Sequence, residues 1–146
     1  RSTLFPYTTL FRSPAGLQAM NTGHEGSMST VHSNSARDAV SRLATMVLMS
    51  GSDLPERSIL SQIASAVNVI VQLTRYCDGS RKISAISVLN KTDDGNIFDI
   101  KDVFKFEPEG IEDGKQMGEF KACGYIPDFI ANASKSGINI NMGIFK

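Results

Sequence analysis

The sequence predicts an α/β fold in which two helices are followed by an antiparallel, β-rich half. Three observations support this prediction. Apolar residues recur with the helical period over residues 36–49 and 59–67, and a capping box precedes the first run. After Val67 the apolar residues become nearly continuous, as in strands. Turn signals such as Asp78-Gly79 then separate successive apolar runs.

Composition places the chain among soluble globular proteins and excludes several classes of partner. The 146 residues are 41% apolar and 21% charged, and 15 basic residues balance 15 acidic ones. This zero net charge argues against a nucleic-acid partner. Cys77 and Cys123 lack the spacing of a disulfide framework, which suits a reducing cytoplasm. No His or Cys pair has metal-ligand spacing, so no metal site is predicted.

The first residues differ from the rest of the chain. Residues 1–13 have neither helical nor strict strand periodicity and resemble translated sequencing-adapter DNA, and residues 14–16 read as a join. We expect residues 1–16 to be foreign and residues 17–146 to carry the natural fold. A short strand, a linker or a cationic targeting segment are the alternatives.

Residues 17–35 lead into the first full helix. Residues 17–22 predict the end of a helix that Gly23 stops, and residues 26–32 predict a strand. Period two puts Thr30 and His32 on one face near the strand's carboxyl end, which borders the ligand crevice in open α/β sheets.

Two helices follow, each with its own start signal. The box Ser35-Ala36-Arg37-Asp38 begins a helix that runs to about Met49 and is stopped by Gly51. Asp53-Leu54-Pro55-Glu56 begins the second helix, with an apolar stripe at Ile59, Ile63 and Val67.

The remaining residues predict strands and one short helix. The run over residues 67–74 is too continuous for a half-exposed strand and predicts burial on both faces. Its hairpin partner covers residues 82–90, and a further turn lies at residues 93–96. We expect strands at residues 97–100, 103–106 and 116–124, an acidic loop at residues 108–114, and a helix at residues 127–133.

Thr30 and His32 form the strongest candidate site. A hydroxyl and an imidazole beside a capped helix N-terminus suit an anion such as a phosphate, although a surface Thr and a hydrogen-bonded His are an open alternative. His24 is a second candidate anion contact or ordinary turn polarity. Arg37 and Arg42 each have the reach to contact a phosphate, within the subunit or across an interface, or are solvated helix arginines.

Two catalytic motifs are missing from the sequence. Gly-x-Ser-x-Gly does not occur, which disfavours a Ser/His hydrolase using His32 and the serines near it. The phosphate-binding pattern Gly-x-x-x-x-Gly-Lys-Ser/Thr does not occur either. If a nucleotide binds, we expect its main phosphate contacts to lie outside this chain.

The stretch at residues 17–43, Leu-Gln-Ala-Met-Asn-Thr-Gly-His-Glu-Gly-Ser-Met-Ser-Thr-Val-His-Ser-Asn-Ser-Ala-Arg-Asp-Ala-Val-Ser-Arg-Leu, closely resembles the His-box region of type II/type IV secretion ATPases. Asp78-Gly-Ser-Arg, Asp102-Val-Phe-Lys-Phe and Gly124-Tyr-Ile-Pro-Asp-Phe extend the likeness to about Phe145. The nearest branch is the CpaF/TadA-type motor of Flp (Tad) pilus assembly. Ser33 stands where this branch usually has Ala.

The resemblance implies the C-terminal part of a RecA-like P-loop ATPase domain, in a ring hexamer that uses ATP and Mg²⁺. Such motors work in the cytoplasm, peripheral to the bacterial inner membrane, with inner-membrane platform proteins as partners. It further implies that Thr30 and His32 approach the γ-phosphate, and that Arg37 and Arg42 face the nucleotide or a neighbouring subunit. The family's phosphate-binding loop and Walker B segment precede the His box, so we expect residues 17–146 to be a C-terminal fragment that is inactive alone.

A function of a different class remains open. The β-rich half, with its acidic segment, also fits a non-catalytic module that binds a protein partner.

Overall fold

The computed structural model describes residues 28–92, 97–135 and 137–146. The helix predicted at residues 17–22, the turn predicted at residues 93–96, His24 and the suspected foreign residues 1–16 lie outside the described residues. The elements in chain order are helices α1 (Ala36–Met49) and α2 (Glu56–Ala66), strands β1 (Val69–Arg75), β2 (Arg81–Lys91), β3 (Phe98–Glu112) and β4 (Lys115–Ala122), helix α3 (Asp128–Lys135) and a 3₁₀ helix (Met142–Phe145).

The chain divides into two compact units. The described part of the first comprises residues 28–68, 89–92 and 97–99, and that of the second comprises residues 69–88, 100–135 and 137–146. Among the described residues, no helix is both long enough and apolar enough to cross a membrane.

Helices α1 and α2 confirm the periodicity argument. Both pack their apolar faces together, and the side chains of Val40, Ile59 and Ile63 are wholly buried. Helix α1 ends at Met49 with Ser50 as its C-cap, and Gly51, the predicted stop, follows with a φ of 83°. Helix α2 starts directly after Pro55, whose side chain offers no hydrogen-bonding cap.

The strand predicted at residues 26–32 is not found in the described part of that segment. Residues 28–33 belong to no helix or strand. The prediction was wrong because alternation of side chains describes only the chain itself, whereas a strand also requires a neighbouring strand to share its backbone hydrogen bonds.

The four strands form one sheet in the order β1-β2-β3-β4. Strands β1 and β2 pair antiparallel, as do β3 and β4. Asp78-Gly79 forms the predicted turn between the first pair, with Gly79 at a φ of 80°. The β-rich antiparallel half of the prediction is therefore confirmed.

Strand β1 is not buried on both faces, contrary to the prediction. Val69, Val71 and Leu73 are 43%, 46% and 61% exposed, while the residues between them are half-buried. β1 is an edge strand of the described sheet. The apolar run in β1 therefore includes one face that is exposed to solvent. Periodicity alone cannot distinguish such a strand from one that is buried on both faces.

The prediction of an acidic loop at residues 108–114 is also wrong. Strand β3 runs without a break through Pro108 to Glu112, and only Asp113 and Gly114 form the turn, at φ values of 47° and 72°. Pro108 is accommodated because the pairing register shifts between Pro108 and Gly110. An Asp-Gly pair with two positive φ angles is a favoured two-residue hairpin turn.

The second unit has its own small core. Val88, Val103 and Phe145 are buried together, and the side chains of Phe104, Tyr125 and Ile130 pack against them. Phe145 belongs to the 3₁₀ helix, which the sequence analysis did not predict, whereas α3 confirms the predicted helix at residues 127–133.

One carboxylate links the two hairpins of the second unit. Asp78 Oδ1 accepts hydrogen bonds from the Ser80 backbone N–H (2.9 Å) and hydroxyl (2.7 Å), and Oδ2 accepts one from the Gln116 N–H (2.7 Å). The backbone bond from Gln116 and the bonds from Ser80 lower the pKa of Asp78 to about 2. The ionised carboxylate therefore holds the β1–β2 turn against the end of the β3–β4 hairpin.

We expect Asp78→Asn to destabilise the chain at neutral pH and to have little effect at pH 2. Because folding lowers the pKa of Asp78 from 3.8 to about 2, the stabilisation is present above about pH 4 and is lost as the pH falls toward 2. Denaturant unfolding of both proteins at a series of pH values measures this. An unfolding free-energy difference that stays constant down to pH 2 would contradict it.

Candidate functional site

Thr30 and His32 lie in the segment that leads into α1. Both residues are exposed, whereas Ser29, Val31 and Ser33 are half-buried. Exposure thus alternates with a period of two, as the sequence pattern predicts, although the segment is not a strand. Thr30 and His32 are therefore both accessible to solvent, two residues apart.

The same segment also carries a buried hydroxyl, that of Ser29. Ser29 Oγ is inaccessible to solvent and has no hydrogen-bond partner among the described residues. A buried hydroxyl without a partner costs free energy, so this hydroxyl has hydrogen-bonding capacity that the described contacts leave unused.

The N-cap of α1, Ser35, lies two residues after Ser33. The hydroxyl of Ser35 accepts a hydrogen bond from the Asp38 N–H (3.1 Å), as predicted. The carboxylate of Asp38 reaches back to the Asn34 N–H (3.0 Å), one residue further than the predicted box. The N–H groups of Ala36 and Arg37 have no carbonyl within the helix to bind, because they precede its first hydrogen-bonded turn.

Opposite charges meet at this end of α1. The positive end of the helix dipole and the guanidinium of Arg37 favour an anion. Asp38 brings a negative charge to the same turn, which opposes one. Whether this helix end favours an anion therefore depends on the position of the Arg37 side chain.

Arg37 is held by an aromatic ring that the sequence analysis did not single out. Its Cζ lies 5.6 Å from the centre of the Phe98 ring, at the start of β3. The two residues belong to the same compact unit. Sixty-one positions separate them, and no local pattern signals such a contact.

Arg42 does not share this position. Five residues along an α-helix correspond to a rotation of about 140° and a rise of about 7.5 Å, so Arg42 leaves α1 on a different side from Arg37. Arg42 is exposed. The structure therefore associates Arg37, but not Arg42, with the N-terminus of α1.

The other candidate groups, which are possible metal ligands and the two cysteines, form no site among the described residues. Within the described ranges, no group of three or more His, Cys, Asp or Glu side chains is arranged to hold a metal ion. Cys77 and Cys123 are exposed free thiols. A surface depression is lined by none of the predicted site residues; its apolar lining is Phe104, Phe120, Ala122 and Ile144.

Comparison with known proteins agrees with the resemblance at residues 17–43. Two proteins of Mycobacterium tuberculosis with the name "putative conjugal transfer protein", from strains CDC 1551 / Oshkosh and ATCC 25618 / H37Rv, are each 35% identical to this chain over 77 residues. The match covers 53% of this chain and 21% of each relative, so the chain corresponds to about a fifth of their length. The family of type II/IV secretion system proteins matches residues 14–133, which is most of the chain. The chain therefore belongs to the type II/IV secretion system protein family.

Proposed function

We propose that this chain is the C-terminal part of a RecA-like ATPase domain in a hexameric secretion motor. Members of the family are ATPases. The observation that carries the proposal is the exposure of Thr30 and His32 in the segment that leads directly into the capped N-terminus of α1 with Arg37. We further propose that the motor acts at the cytoplasmic face of the inner membrane, on platform proteins of the Flp (Tad) pilus or of another type II/IV system.

The donors at this site fit phosphate oxygens. A Thr hydroxyl, an imidazole, a guanidinium and N–H groups at a helix start are all hydrogen-bond donors, and phosphoryl transfer depends on such groups because negative charge is spread over the phosphate oxygens. Mg²⁺ bound with ATP neutralises part of the same charge. Since Thr30 and His32 are exposed, we propose that the main phosphate-binding loop comes from residues outside this chain and closes over them.

A binding role is the competing function. The exposed side chains of Val69, Val71 and Leu73 form an apolar strip on an edge strand, where a protein partner would find apolar area. This function predicts partner binding that does not depend on ATP.

We expect His32→Ala in the full-length protein to lower kcat for ATP hydrolysis about 100-fold while weakening ATP binding far less, because a donor that contacts the developing charge acts mainly in the transition state. His32→Gln keeps an N–H donor and should retain more activity. Steady-state hydrolysis and equilibrium nucleotide binding measure the two effects.

The isolated chain provides the complementary measurement. Residues 1–146 alone should hydrolyse no ATP above background. Measurable turnover by the pure chain, equal losses of kcat and binding in His32→Ala, or a full-length protein without ATPase activity would each count against the proposed motor. The last result, together with nucleotide-independent capture of a partner, would favour the binding module.

A further inference from the structure

We propose that Phe98 is a positioning residue that holds the Arg37 guanidinium at the N-terminus of α1, ready to bind the phosphates of the nucleotide. This inference rests on the proposed ATPase function. It starts from one contact, in which Arg37 Cζ lies 5.6 Å from the centre of the Phe98 ring. At this distance the ring attracts the cation through its quadrupole.

Both partners are fixed by regular structure. Arg37 lies in the first turn of α1, where the Ser35–Asp38 and Asn34–Asp38 hydrogen bonds fix the backbone. Phe98 is half-buried and begins β3. Just before it, the Thr92 N–H donates to the Ile97 carbonyl (3.4 Å) and links the chain entering β3 to the chain leaving β2. A site held by a helix and a strand is positioned more accurately than one held by loops.

The contact leaves the arginine able to bind an anion. The Phe98 ring has no oxygen or nitrogen acceptor, so this contact does not use the guanidinium N–H donors in conventional hydrogen bonds. A free arginine side chain samples many rotamers and loses that freedom when it binds. The Phe98 ring restricts this sampling beforehand, so part of the ordering is complete before a phosphate arrives.

The Phe98 ring also competes with the Asp38 carboxylate for the Arg37 guanidinium. This carboxylate lies one residue away in the same turn and would attract the guanidinium. It is already hydrogen-bonded to the Asn34 N–H, and the guanidinium carbon is placed over Phe98. The arginine is thereby directed by the ring, which carries no net charge and does not neutralise it.

The test combines three substitutions in the full-length protein. Phe98→Leu removes the ring and keeps apolar bulk, whereas Phe98→Tyr keeps the ring and is the matched control. We expect Phe98→Leu to raise KM for ATP about two- to five-fold with a smaller change in kcat, and Phe98→Tyr to keep the wild-type value. In an Arg37→Ala background, Phe98→Leu should have no further effect, because the ring acts through the arginine.

A second measurement follows the contact itself. In nuclear magnetic resonance spectra of residues 1–146, the Arg37 side-chain protons should show a ring-current shift that Phe98→Leu removes and Phe98→Tyr retains. Absence of that shift, or an equal rise of KM on Phe98→Leu in the wild-type and Arg37→Ala backgrounds, would overturn the positioning role while leaving the ATPase function in place. Absence of ATP hydrolysis by the wild-type full-length protein would overturn both.

Discussion

Gly118→Ala is expected to disrupt the β3–β4 hairpin and to lower the free energy of unfolding by about 3 kcal/mol. A Cβ at residue 118 would collide with the backbone carbonyl of Glu107 and would lie 2.6 Å from Phe106 Cζ. The carbonyl belongs to β3, which pairs with β4 on both sides of this point, so it has no room to move without breaking the ladder. Displacing the Phe106 ring would also disturb its contacts with Tyr76 (5.5 Å) and Lys82 (5.3 Å).

Gly114→Ala is the matched control for Gly118→Ala. Gly114 has a φ of 72°, but a Cβ there would meet no atom within 4 Å. Its cost should be limited to backbone strain of about 1–2 kcal/mol. Urea unfolding of the two variants, followed by circular dichroism, compares the costs. Equal losses, or a larger loss for Gly114→Ala, would show that steric contact with Glu107 is not the limiting factor.

The helices were predictable from sequence because their signals are local. The capping serine Ser35, the stop at Gly51 and the apolar stripes all act within a few residues of the structure they produce. Residues 36–49 were therefore assigned with the boundaries that the structure has. The small difference, a bond from Asp38 to Asn34 rather than to Ser35, depends on side-chain geometry that a motif does not specify.

The errors arose where the answer depends on distant neighbours. The apolar run in β1 is compatible with burial on two faces or with one exposed apolar face, and only the sheet order decides. Pro108 favours a loop locally, yet a register shift keeps it within β3. A proline and several acidic residues therefore concealed the last part of β3, from Pro108 to Glu112.

The candidate site was predictable only in the part that depends on the local sequence pattern. Period two predicts that Thr30 and His32 share a side, and the structure shows that both are exposed. The sequence could not rank Arg37 above Arg42, since both are helix arginines. The ranking comes from the Phe98 ring, which reaches Arg37 across 61 positions of sequence.

The packing of α2 is expected to control the stability of the unit that contains Arg37. Ile59→Ala should lower its free energy of unfolding by about 2–5 kcal/mol, because Ile59 is wholly buried and truncation leaves a cavity as well as losing apolar contact. Denaturant unfolding monitored by far-ultraviolet circular dichroism measures the loss, since most of the described helix lies in α1 and α2.

Leu54→Ala is the control for Ile59→Ala, because it removes apolar bulk from a residue that is not buried. Leu54 precedes α2 and is 40% exposed, so its truncation should cost less than about 1 kcal/mol.

Because α1 packs on α2, the cavity in Ile59→Ala should also loosen the helix that carries Arg37 and reduce the ring-current shift from Phe98. A full-sized shift in a strongly destabilised Ile59→Ala protein would mean that the Arg37–Phe98 contact is maintained by the start of α1 and β3 alone. The helix pair would then stabilise the unit without positioning the arginine.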